Sequence, residues 1–137
     1  APVGSVLVGS TETLYKAHRW RKMFGGGMRQ AGILAAAGIY SLENNVHRLS
    51  EDHHRAMEIA TAVERMDSYE VDLEQVQTNM VYVKCDKGGA ESLIHRLEKL
   101  GIQALTIDSS TIRIVTHLHI TDDDVQRTIS ALESAQP

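Results

Sequence analysis

The sequence has a single cysteine, Cys85, in 137 residues. No disulfide can form within the chain, and a reducing compartment suits it. Cationic residues are not in excess. Fourteen Lys and Arg stand against eighteen Asp and Glu, a formal net charge of −4 with a pI near 6.0. That balance argues against a general binder of nucleic acid or acidic membrane. No apolar run approaches the roughly twenty residues that span a bilayer. The first residues, Ala1 to Ser5, have neither the basic start nor the apolar core of a signal peptide. Two phosphate-binding fingerprints are also missing: there is no GxGxxG and no P-loop spacing. No Ser/His/Asp or Cys/His set can be assembled. What remains is 42% apolar and 23% charged, the composition of a soluble globular chain with a core.

Periodicity divides the chain in two. The first half opens on a short apolar run, 3–8, that predicts a buried strand. Ser10 then caps a helix extending to about Phe24, with Glu12 in its first turn and a basic end at Lys16, His18, Arg19, Arg21 and Lys22. Gly25, Gly26 and Gly27 break it. A second helix is expected over 28–42; being apolar nearly all round, it should be buried. Its glycines, Gly32 and Gly38, suggest close approach of another backbone. A third helix is expected over 46–66, with Asp67 to Glu70 as a turn and domain boundary.

The second half predicts β-α-β-β-α: a strand over 78–85, a helix over 90–100, strands over 105–107 and 112–118, and a last helix capped by Thr121. Gly101 followed by Ile102 matches a left-handed helix stop, with Ile102 packing back on Leu97. Cys85 reads as a small buried hydrophobe at the end of its strand.

Three places could carry chemistry. Three glycines before a helix would offer backbone N–H groups to an anion, with Lys22 and Arg29 beside them. A flexible joint with a solvated basic edge explains the same residues. Arg113 lies between Ile112 and Ile114, so strand alternation puts it on the opposite face with Val115. A shielded arginine needs either an acidic partner from its own chain or an anionic ligand. His117 and His119 share one face of the expected strand, but no third metal ligand is evident, and His53 and His54 diverge on their helix. The acidic run Asp122 to Asp124 reads as a dipole-stabilised helix start.

The stretch Arg19-Trp20-Arg21-Lys22-Met23-Phe24-Gly25-Gly26-Gly27-Met28-Arg29-Gln30-Ala31-Gly32 closely resembles the low-specificity L-threonine aldolases. These are pyridoxal phosphate (PLP) lyases of the aspartate-aminotransferase fold type. Ala1 to Gly9, Glu51-Asp52-His53, Gln77-Thr78-Asn79 and Arg113 to Leu118 match the family too, so the resemblance covers essentially the whole chain. It implies an α/β fold of type I, with the end of the large PLP domain over 1–66 and a small α+β domain over 67–137. It implies cleavage of L-threonine or L-allo-threonine to glycine and acetaldehyde. By the same resemblance Arg29 and Lys22 attend the cofactor, Arg29 reaching its phosphate across a subunit interface, and Arg113 grips the substrate carboxylate. The family's covalent cofactor lysine precedes the residues matching Ala1-Pro2, so no catalytic residue is expected here and the chain alone is expected to be inactive. The implied partners are the upstream large-domain segment, a small amino-acid substrate and further copies in a dimer or tetramer; the implied location is cytoplasmic. The alternative reading is a non-catalytic α+β module that binds an anion or a protein.

Overall fold

The computed structural model describes residues 5–86 and 88–136. They divide into two compact units, 1–47 and 48–137.

The first unit is helical. Ser10 caps α1 (Thr11–Met23) by accepting the Thr13 N–H at 3.2 Å, and Glu12 pairs with Lys16 one turn on. α1 stops in a Schellman arrangement. Gly25 takes φ +79°, its N–H reaching the Lys22 carbonyl at 3.2 Å, and the Gly26 N–H reaches the Arg21 carbonyl at 2.8 Å. The second helix, α2, runs over Gly32–Asn44, and a short 3-10 turn follows at Val46–Arg48.

Three expectations for this unit need correction. The strand over 3–8 is not there in its described part. Residues 5–8 form no ladder and Val6, Leu7 and Val8 are exposed; positions 3 and 4 lie outside the described residues. α2 starts four residues later than expected, because Gln30 adopts φ +51°, a left-handed conformation no α-helix can include. And α2 is not buried: Ile33 is 80% exposed, and Ile39, Tyr40 and Leu42 are exposed as well. A Cβ added at Gly32 or Gly38 would meet nothing within 4 Å, so the close approach those glycines allow is not used by the described residues. No residue of α1 or α2 is buried, which leaves this unit without a core of its own.

The second unit has one. α3 (Leu49–Glu64) turns Ala56, Ile59, Ala60 and Val63 inward. The sheet is antiparallel, in the order β1 (Met80–Lys84), β3 (Thr111–Val115), β2 (Leu105–Thr106). Its register sets Val81 opposite Ile114 and Val83 opposite Ile112. All four side chains are buried, on the face that packs with α3, α4 (Ala90–Lys99) and α5 (Asp122–Ser134). Leu93 and Leu97 of α4 and Val125 and Leu132 of α5 complete this core. α4 ends as its sequence predicts. Gly101 has φ +79°, its N–H meets the Glu98 carbonyl at 3.0 Å, and the Ile102 N–H meets Leu97 at 2.9 Å. Two polar ties hold α5 to α3: Arg55 to Asp122 at 2.8 Å and Gln126 to Glu58 at 2.7 Å. Cys85 is half-buried, its thiol donating to the Ser110 carbonyl; burial pushes its pKa up, as for an inert thiol. Among the described residues no helix is long and apolar enough to cross a membrane.

Candidate functional site

The candidate residues fall in two places, one in each unit. In the first unit, Lys22 closes α1 and Arg29 lies in the turn before α2. The expectation that three glycines present free N–H groups at a helix start is overturned. The N–H groups of Gly25 and Gly26 are spent on the carbonyls that terminate α1, and α2 begins only at Gly32. Arg29 is therefore not on a first helical turn. Gly27 has a separate use. A Cβ there would come within 2.9 Å of Lys22 Cδ and 3.1 Å of its Nζ, so glycine lets the lysine fold over the loop. Lys22 and Arg29 are both exposed and enter no ion pair among the described residues. They are free to meet an anion. The donors here are side-chain cations rather than a nest of amides.

In the second unit, Arg113 stands on the middle strand, opposite Tyr82 of β1 and Leu105 of β2. Ile112 and Ile114 point into the core, and Arg113 with Val115 takes the other face, as alternation requires. Arg113 borders an open cleft of about 580 Å3, also lined by Leu105, Thr116, His117, His119 and Arg127. That volume is within the roughly 300–1,000 Å3 of small-molecule sites. An ion pair with an acid of its own chain was the competing explanation for this arginine. Among the described residues it makes none, and its Nε is buried without a hydrogen-bond partner. An arginine on the wall of a cleft with no acidic partner among the described residues is an arrangement that a carboxylate would complete.

The histidines differ from expectation. β3 ends at Val115, so His117 and His119 lie in the turn beyond it. Their rings meet edge to face at 5.7 Å, and the His119 N–H donates to His117 Nδ1 at 3.2 Å, which occupies that lone pair. Among the described residues no group of three His, Cys, Asp or Glu side chains could hold a metal. The acidic run has structural work. Asp122 pairs with Arg55, and Asp124 forms a capping box with Thr121. Sequence reading missed Arg127 as a second cation of the cleft. Nothing in its helical surroundings marks it, since only the fold brings this part of α5 to the cleft, where Arg127 pairs with Asp124.

Lys22 and Arg29 are exposed, unpaired cations of the kind a phosphate group requires, and Arg113 is a cation of the kind a carboxylate requires. A family model described as "Beta-eliminating lyase" matches residues 1–86. The chain is 42% identical over 138 residues to low-specificity L-threonine aldolase 1 of Arabidopsis thaliana, covering 98% of this chain and 38% of that protein. It is 44% identical over 124 residues to the low specificity L-threonine aldolase of Escherichia coli strain K12, covering 90% of this chain and 36% of that one. It thus spans little more than a third of the length of these relatives. Among solved structures, an aminotransferase, TlmJ, from Streptoalloteichus hindustanus superposes with a TM-score of 0.54 at 15% identity, covering 66% of this chain and 33% of that one. That likeness shows the fold: the helices and small antiparallel sheet are those of a PLP fold-type-I enzyme. The chain belongs to the beta-eliminating lyase family of PLP-dependent enzymes, and within it resembles the low-specificity L-threonine aldolases.

Proposed function

We propose that this chain is the C-terminal part of a PLP-dependent threonine aldolase, which cleaves L-threonine or L-allo-threonine to glycine and acetaldehyde. The observation that carries the reading is Arg113, a buried guanidinium donor without a partner on the wall of an open cleft. In this account Arg113 binds the substrate carboxylate through a two-pronged contact, while Arg127 on the same cleft is paired with Asp124 at 3.5 Å. Fixing the carboxylate sets which bond at Cα lies in the cleavable orientation, so the contact orients as well as binds. Lys22 and Arg29 hold the cofactor phosphate. PLP held there would supply an electron sink for carbon–carbon cleavage.

No residue of this chain is assigned the covalent or acid–base work. The upstream part of the enzyme supplies it, and the 137-residue chain by itself is inactive. In the assembled enzyme 1–66 finishes the large domain and 67–137 forms the small one, with α3 as the element on which the small domain packs. The exposed apolar side chains of α2 support burial against that large domain or a second subunit, in a dimer or tetramer.

The test is acetaldehyde release from L-threonine in the presence of PLP. A polypeptide joining this chain to the rest of the length its relatives have should release it, and the chain alone should not. Turnover by the purified chain, or none by the joined polypeptide, would overturn the proposal.

A further inference from the structure

Three short segments that match the threonine aldolases carry no role in the account so far: Glu51-Asp52-His53, Gln77-Thr78-Asn79 and Thr116. The fold brings one residue of each to a single point. Thr116 follows the last residue of β3 and is 1% exposed. Its hydroxyl donates to the main-chain carbonyl of Asp52, in the first turn of α3, at 2.7 Å. Its own N–H donates to the Asn79 carbonyl at 3.0 Å, and the Asn79 side-chain amide donates back to the Thr116 carbonyl at 2.8 Å. Asp52 is fixed in turn by Arg48, which grips its carboxylate with two nitrogens at 2.7 and 2.9 Å.

We propose that Thr116, clamped by Asn79 and anchored on Asp52, is a positioning residue that sets where Arg113 stands. This rests on the carboxylate reading of Arg113. The end of β3 needs such a pin. β2 contributes only Leu105 and Thr106, so beyond Arg113 β3 is paired on one side alone. A one-residue slip of β3 would turn Arg113 into the apolar core and Ile114 onto the opposite face. A smaller shift matters as well, because the two-pronged hydrogen bonding of a guanidinium to a carboxylate is directional. The Thr116 hydroxyl ties the strand to α3 across the core, and the Asn79 clamp extends the β1–β3 ladder by one more pair. Arg113 is thereby held from both neighbouring strands and from the helix beneath.

The experiment uses the complete PLP-loaded enzyme and reads KM and kcat for L-threonine separately. Thr116→Val, which keeps the shape and removes the hydroxyl, should raise KM about tenfold by misplacing Arg113, a loss of about 1.4 kcal/mol in carboxylate binding, with kcat within about threefold. Thr116→Ser should retain most of the native KM. In an Arg113→Gln background the same Thr116→Val change should add nothing further, since the two act on one contact. Should the valine variant not fold, Asn79→Ala loosens the same clamp and leaves the buried hydroxyl in place, and the same outcomes apply. An equal rise in KM in both backgrounds, or no rise while Arg113→Gln raises it, overturns the positioning role alone. An unchanged KM for Arg113→Gln overturns the carboxylate reading itself, and the proposal with it.

Discussion

The Arg48 guanidinium and the Asp52 carboxylate meet as two parallel hydrogen bonds, Nη2 to Oδ1 at 2.7 Å and Nη1 to Oδ2 at 2.9 Å, with both side chains almost wholly screened from solvent. Hydrogen bonding to Asp52 is the chief reason the Arg48 pKa is raised. The pair begins α3 and so begins the second compact unit. A screened, two-pronged pair depends on the planar fork in a way that an exposed contact does not. Arg48→Lys should therefore lower the melting temperature clearly, whereas Arg127→Lys, at an exposed pair 3.5 Å long, should leave it nearly unchanged. Calorimetry of the two variants side by side checks this.

The start of α5 should respond to acid. Asp124 has its carboxyl held below the ordinary 3.8, first by the Thr121 hydroxyl and then by the Thr121 N–H. A folded-state pKa below the unfolded one gives stability that is complete above about pH 3.8 and is lost as pH falls through the lowered value. Thr121→Ala should cost about 1 kcal/mol at neutral pH. Its deficit relative to the native chain should shrink below that window, as followed by urea unfolding at several pH values.

The core of the second unit sets its stability. Leu97 is fully buried at the end of α4, where Ile102 folds back on it. Leu97→Ala should cost about 2–5 kcal/mol. Urea unfolding followed by circular dichroism would show it as a lower midpoint with an unchanged slope.

α2 leads to a prediction about association. With Ile33, Ile39 and Leu42 exposed, the isolated 137-residue chain should self-associate and bind an apolar dye. Ile33→Glu together with Ile39→Glu should reduce both effects, read by sedimentation and fluorescence. Monodisperse native chain at high concentration would contradict this.

Local chemistry was legible in the sequence wherever it was decided locally. The Gly101-Ile102 stop, the Thr121 cap and the alternation about Arg113 follow from neighbouring residues, and the structure has all three. The start of α2 was not legible. Glycines 25 and 26 serve equally as the end of one helix or the beginning of the next, and the left-handed Gln30 that decides the matter carries no sequence signature. The Thr116–Asp52 bond and the arrival of Arg127 at the cleft that Arg113 borders depend on contacts far apart in the chain, which no periodicity encodes. The resemblance marked Thr116 and Asn79, and the fold shows what they touch.

The most direct test of the account is the KM for L-threonine of the complete PLP-loaded enzyme carrying Arg113→Gln. Losing a charged hydrogen-bond donor worth about 1.5–3 kcal/mol should raise KM about ten- to a hundredfold. A KM equal to that of the unaltered enzyme would contradict the assignment of Arg113 to the substrate carboxylate.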